Sequence, residues 1–424
     1  MGALVLGLLV GAGPTARPLG LAGPKWPTKA LVGVVYRDGE GTSLTRLDEG
    51  LNAYGRRVRV GELDAWTLSP QGGIAALSTH PFESRGTQDS IRFVALGTLR
   101  LVPRTIPLGG SAVAMLWANP HRIVALVQGC CTNTVSIAVV DPGARRIVSS
   151  APLAGDTAAW TRAGDRLVVL VTPTNAIGPA QLVVVDAAGG VRTVKLNRVV
   201  AGRSWPEDHS APMLGTQQIP ALAADAVGGR VYVIQPDGVA AEVSLESLGV
   251  SYHQLVPASL AARLSAWLQP AAQAKGMNGT AWHGVVLGNG FVAVTGTVER
   301  AVVNGNTEQM SSSPAGLAIV DVRNWTIRTL DRGADSVAVA DGLLLATGRS
   351  WTSTQQGTNG MGLAAYGADT KLRFHLFAGG SAWVQQIWKG RGYVVVDGKT
   401  NVIELATGRV VEQRASETPS LLLP

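Results

Sequence analysis

With 424 residues, 46% of them hydrophobic and only 15% charged, the chain can bury a large core, which excludes a disordered or solvating protein. Its formal net charge of +7 is carried mostly by Arg spread singly, with no basic run and no basic helix, so nucleic-acid binding is not expected. Such a charge is compatible with loose association with an anionic envelope polymer or a membrane surface.

The chain opens on MGALVLGLLVGAGPTARPLGLAGPKWP. The apolar run from Ala3 to Ala12 has signal-peptide length and is too short to span a bilayer. Val10-Gly11-Ala12 offers small residues at the spacing a signal peptidase needs, although a basic flank is missing. Residues 1–29 are therefore read as an export signal or tether with its linker, against a buried strand or a misplaced start. The protein is accordingly expected outside the cytoplasm, whether secreted, periplasmic or at the cell surface. No later stretch is a transmembrane candidate.

Residues 30–62 hold three strand-like runs, ALVGVVYR, TSLTRLDE and GRRVRVGE. Beyond them a unit of roughly 40–60 residues recurs to the end of the chain, a period that marks propellers and related arrays. Each unit has a turn, as in LSPQGG (68–73), ANPHR (118–122), RAGDR (162–166), AVGGR (226–230), LGNG (287–290), ADG (340–342) and KGRG (389–392). An apolar strand follows, such as IVALVQ, LVVLVT or YVVVDG, apolar on both faces as a strand between stacked sheets requires. Hairpins such as VSIAVVDPGARRIVSS and GLAIVDVRNWTIRTL come next, with turn-forming residues at the tip.

Before the turns lie strands of small residues, often carrying Trp: Trp66, Trp117, Trp160, Trp282 and Trp383. Four antiparallel strands per unit, repeated radially, make an all-β propeller spanning residues 30–424 as a single domain. The small residues suit the narrow innermost strand. The Trp residues fill the wedges between blades or, alternatively, form a ring of stacking platforms for a ligand. The C-terminal TPSLLLP can supply the innermost strand missing from residues 30–62, closing the ring and removing its exposed edges. On that count eight blades are expected, or seven if the tail does not close the ring.

Three segments interrupt the pattern. PASLAARLSAWLQPAAQAKG (257–276) places Leu260, Leu264, Trp267 and Leu268 on one helical face behind Ser259 as N-cap, with Pro270 ending or kinking it. A rim helix packed on the propeller is expected there. NGNTEQMSSSPAG (304–316) and TGRSWTSTQQGTNGMG (347–362) are polar inserts that lengthen hairpins, and neither has the strand–helix context of a phosphate-binding loop.

Cys130 and Cys131 are adjacent and are the only cysteines. Adjacent Cα atoms lie about 3.8 Å apart, below the usual disulfide range of about 4.4–6.8 Å, so a bond between them strains the backbone. A structural vicinal disulfide, inert reduced thiols and a redox or cofactor role all stay open. An oxidising compartment favours the first.

The turn-then-strand units, with hairpins such as VVDPGARRIV and IELATGRVV, resemble bacterial extracytoplasmic propellers of the YVTN, WD-repeat-like and quinoprotein-like groups. LSPQGG approaches the Ser-Pro-Asp-Gly turn of those families and the other turns depart from it, so the resemblance implies the fold and leaves activity open. Some quinoprotein dehydrogenases carry a vicinal disulfide against their quinone, which Cys130-Cys131 resembles. Their repeated Trp-docking motif is matched here only in part, at Thr407-Gly408, and no calcium-binding Glu/Asn/Asp set can be placed.

Chemistry is sparse. His80, His121, His209, His253, His283 and His375 show no pair at metal-ligand spacing, and each is read as solvated or packed. No Gly-x-Ser-x-Gly elbow occurs. SWPEDHSAP (204–212) gathers Glu207, Asp208, His209 and Ser210 in one connection between units, a polar loop that is also the most chemically loaded in the chain. These readings point to a non-catalytic binding or interaction scaffold in the cell envelope. Its protein or small-molecule partner would meet one face or the central channel, and no cofactor or metal is assigned. A propeller enzyme, quinone-dependent or a metal-dependent hydrolase or lactonase, is the alternative, and carboxylates clustered at the channel mouth would favour it.

Overall fold

The computed structural model describes residues 19, 31–37, 41–80, 89–129, 135–204, 216–236, 238–257, 277–304, 307–340, 342–353, 359–414 and 421–423. It is an all-β propeller. The expected rim helix falls almost wholly on 258–276, outside the described residues, as do Cys130, Cys131 and the whole Glu207–Ser210 loop. Of residues 1–29 only Leu19 is described; it is buried, and its amide donates to the Ala368 carbonyl at 2.7 Å.

Five sheets stand apart as four-stranded blades. The first joins Leu31–Arg37, Gly41–Leu47 and Ala53–Arg59 to the C-terminal Leu421–Leu423. The second runs Glu62–Leu68, Ile74–His80, Ser90–Ala95, Arg100–Pro107, and the third Gly110–Asn119, Arg122–Gly129, Val135–Asp141, Arg146–Leu153. The fourth holds Ala221–Asp225, Arg230–Ile234, Val239–Ser244 and Val250–Gln254. The fifth holds Ala382–Trp388, Arg391–Val396, Lys399–Glu404 and Arg409–Arg414. Neighbouring strands within these blades are antiparallel, and the inner strands of the second and third blades, Glu62–Leu68 and Gly110–Asn119, pack against each other.

The expectation of eight blades, or seven, is corrected: the separate four-stranded blades number five, and the remaining strands are hydrogen-bonded into one fourteen-stranded sheet. The physical cause lies in strands that outrun their own hairpins. The 304–316 insert lengthens the hairpin Phe291–Asn304/Thr307–Asp321, which pairs with Leu343–Thr352, lengthened by the 347–362 insert, through Ser311↔Thr352 and Ser312↔Trp351. Thr216–Ile219 likewise pairs antiparallel with Val191–Ser204 and parallel with Met277–Gly288, stitching two more hairpins together. Unpaired strand edges seek partners, and here they find them within the chain.

The core is a series of seams between neighbouring sheets, which is why the second strand of each unit is apolar on both faces. Between the second and third blades, Ile91, Phe93 and Ile106 pack on Ile123, Ala125 and Val127. Phe93 meets Trp117 edge-on at 5.9 Å between ring centroids. Phe93→Ala should cost about 3–5 kcal/mol, as large-to-small changes at buried aromatics do, and urea unfolding measures it. Leu47 and Leu51 pack against Trp388 and Tyr393 at the seam where the fifth blade meets the first.

Candidate functional site

Chemistry gathers on the face where the inner strands begin. A cavity of about 510 Å³ lies between the Gly110–Asn119 and Asp156–Ala163 strands. Val113, Gln128, Val135, Asp156, Trp160 and Arg203 are among its lining residues. The small Ala158 and Ala159 keep the inner strand slim, and Trp160 stands on it 46% exposed. Gly155 starts this strand at φ 128°, where a Cβ would run into the Thr172 carbonyl. The Asp156 carboxylate is held by the Asn175 amide at 3.0 Å.

Cys130 and Cys131 lie between cavity residues Gln128 and Val135 in sequence, and the Glu207–Ser210 loop follows Arg203 by a few residues. Where those side chains point lies outside the described residues.

The inner-strand Trp residues divide. Trp117 is buried in the seam, Trp66 and Trp282 are half-buried, and Trp160 and Trp383 are exposed. Trp383 carries the Arg349 guanidinium over its ring at 5.9 Å. Packing between blades therefore accounts for some of the set and leaves Trp160 and Trp383 exposed, with Arg349 over the Trp383 ring.

One blade back on the same rim, four side chains meet that sequence reading left apart. His80 Nδ1 lies 2.9 Å from Asp64 Oδ2 and 3.7 Å from Asp89 Oδ1, and His80 Nε2 lies 3.0 Å from Glu62 Oε2. Among the described residues, Asp64, His80 and Asp89 are the group whose ligand atoms all lie within 4.8 Å of one another. Asp89 is fully buried and fixed: its carboxylate accepts from Ser78 Oγ at 2.8 Å, Ser111 Oγ at 3.2 Å and the Ala112 amide at 3.3 Å, the last two on the third blade.

Burial, then the neighbouring Asp89 carboxyl, push Asp64 up to about 6, while His80 pulls it down. Burial works against the charge on His80, but Asp64 and Glu62 outweigh it and raise its pKa. The reading of His80 as merely solvated or packed missed this cluster because Asp64 and Glu62 stand 16 and 18 residues away on the facing strand, outside the short spacings of metal-ligand motifs. A signal was present: in the hairpin Glu62–Leu68/Ile74–His80, Glu62 falls opposite His80, and a register shift at Asp64 brings a second carboxylate to the same end.

The other histidines are placed simply. His121 is in a turn, His253 stacks on Trp325 with ring centroids 3.9 Å apart, His283 lies opposite Thr295 in the Met277–Gly288 strand with its pKa lowered by burial, and His375 Nε2 meets the Met361 carbonyl at 2.5 Å. His209 lies outside the described residues.

No protein-family model matches this chain. No curated protein matches it either. Solved structures do. Dihydro-heme d1 dehydrogenase NirN aligns over 96% of this chain and 79% of its own at 12% identity and a TM-score of 0.52. Apo AztD from Citrobacter koseri aligns over 93% of this chain and 96% of its own at 9% identity and a TM-score of 0.50. The chain spans 63% of the Kuenenia stuttgartiensis hydrazine synthase chain, with 52% of its own length aligned, at 14% identity and a TM-score of 0.36. The likeness is one of fold. At such identities it carries no residue roles across.

Proposed function

We propose that this protein is a binding propeller that holds a small polar ligand with an apolar ring face, of which a saccharide is the type, on the face where its inner strands begin. The cavity beside Trp160 carries the reading. Its volume of about 510 Å³ falls in the range of small-molecule sites, roughly 300–1,000 Å³. It combines one large exposed aromatic platform with the hydrogen-bonding groups of Gln128, Asp156, Asn175 and Arg203. A sugar ring offers an apolar face for such a platform and hydroxyls for planar amide, carboxylate and guanidinium partners. The compartment in which it acts is, on this proposal, the cell envelope or exterior.

Thermal-shift screening of the whole chain against a saccharide panel tests this. A binder should stabilise the wild type, and Trp160→Ala should weaken its binding about 10-fold or more, the worth of a lost stacking platform. A panel without a binder, or a binder indifferent to Trp160→Ala and Arg203→Ala, contradicts the assignment. A second reading, a metal-dependent hydrolase, is favoured by a specific observation: Glu62, Asp64 and Asp89 cluster around His80 on the same rim.

A further inference from the structure

We propose that Asp64, His80 and Asp89 form a binding site for a first-row divalent cation of the Zn²⁺ type, with Glu62 as the group that aims the imidazole at it. The site is distinct from the Trp160 cavity and does not depend on that cavity's ligand.

The geometry matches in three respects. First, a tetrahedral zinc site with metal–nitrogen and metal–oxygen bonds of about 2.0–2.2 Å has ligand-to-ligand edges of about 3.4 Å. The His80 Nδ1 distances of 2.9 Å to Asp64 and 3.7 Å to Asp89 bracket that edge. Second, the ring can offer Nδ1 as a lone pair only if Nε2 carries the proton. Glu62 Oε2, 3.0 Å from Nε2, accepts it, the carboxylate–imidazole pairing that fixes a metal-binding tautomer. Third, Asp89 cannot swing away, because Ser78, Ser111 and the Ala112 amide hold its two oxygens from two different blades.

Charge points the same way. Three carboxylates crowd one imidazole, and without a metal the protonated ring donates from Nδ1 to Asp64 and from Nε2 to Glu62. A divalent cation would displace the Nδ1 proton to solvent, take the lone pair it leaves, and neutralise Asp64 and Asp89 together. One imidazole nitrogen with two carboxylate oxygens favours zinc-like ions over Ca²⁺ and Mg²⁺, which ask for more oxygen ligands. Three protein ligands leave a coordination position for water, as in sites that do chemistry. Asp64 and Glu62 are partly open to solvent, at 28% and 54% exposure, which provides the entry path.

The test uses the full chain stripped of metal, titrated with zinc sulfate by calorimetry, with bound metal counted by elemental analysis. One Zn²⁺ per chain, with a Kd of about 1 μM or tighter, is expected. His80→Gln and Asp64→Asn should each weaken binding at least about 10–100-fold, and Glu62→Gln should weaken it within the same range by releasing the tautomer. Asp89→Asn is avoided as the primary variant because it also removes a clasp between blades. The thermal midpoints of the metal-free variants should stay near that of the metal-free wild type, so that lost binding is not lost folding. Co²⁺ should give a visible absorption band that His80→Gln abolishes. Absence of stoichiometric Zn²⁺ binding, binding that ignores all three substitutions, or Ca²⁺ binding at these residues in place of Zn²⁺ would each overturn the proposal.

Discussion

Truncation after Arg414 should open the ring. Leu421–Leu423 pairs antiparallel with the first blade through Val32↔Leu423, Gly33↔Leu422 and Val34↔Leu421, so the two ends of the chain share one sheet. Without that strand, the Leu31–Arg37 edge offers unpaired amides and carbonyls, a template for pairing with other chains. The seam to the fifth blade stays behind and holds the Gly41–Leu47 side of the first blade, not its Leu31–Arg37 edge. It includes Tyr393 Oη and Arg391 Nη1 donating to the Glu49 carbonyl at 3.2 and 3.1 Å, the Arg391–Glu49 ion pair at 3.0 Å, Arg414 donating to Asn52 Oδ1, and Trp388 against Leu47 and Leu51. Amide protection across Leu31–Leu47 should fall about 100-fold, equivalent to about 2.7 kcal/mol of opening free energy, while the third blade keeps its protection. Size-exclusion chromatography should show concentration-dependent association of the truncated chain. Unchanged exchange in the first blade would mean that the three tail residues contribute nothing to closure.

Gly348→Ala should be the most damaging glycine-to-alanine change among the described residues. Gly348 sits in Leu343–Thr352 where the register shifts, and a Cβ placed on it would overlap the backbone carbonyl of Gly333. The colliding atom is backbone, which cannot rotate aside, so the strand or the turn into Ser336–Ala340 must move. A cost of about 3–5 kcal/mol is expected, above ordinary overpacking because no side chain can yield. Gly73→Ala is the control. Gly73 follows a turn, has no neighbour within 4 Å of its Cβ position, and should change stability by less than about 0.5 kcal/mol. Equal unfolding midpoints for the two variants would contradict the close approach at Gly348.

Much of the fold was legible because each unit repeats a local rule. A turn such as Ser69–Gly73 is followed by a strand apolar on both faces, and then by a hairpin tip like Asp141-Pro142-Gly143, where Asp141 Oδ1 accepts the Gly143 and Ala144 amides at 2.9 Å. Such rules concern neighbours in sequence. The number of separate blades is not of that kind. It depends on which strand edges find partners, and the pairing of Ser311 and Ser312 with Thr352 and Trp351 joins two inserts that read separately as polar loops. Side-chain pattern cannot specify such a contact, because it is made by backbone groups every residue possesses.

The candidate sites follow the same division. The exposed Trp160 and Trp383 belong to a set that the sequence picks out, but composition does not distinguish them from the buried Trp117. What separates them is the seam each one faces. The Asp64–His80–Asp89 cluster needs a hairpin register, a bulge and the ordered start of a third strand to assemble, and only Glu62 opposite His80 leaves a trace in the sequence. Asp89 reads as an unremarkable residue ahead of a strand until Ser111 and Ala112 arrive from the next blade.

Hydroxyl-radical footprinting of the whole chain, with and without the saccharide found by thermal shift, tests most directly that the ligand face is the one where the inner strands begin. Bound ligand should protect Trp160, while Val227, fully exposed in a turn at the other end of its blade's inner strand, should oxidise as before. Protection at Val227 and its neighbours with Trp160 unaffected would place the ligand on the opposite face and contradict the account.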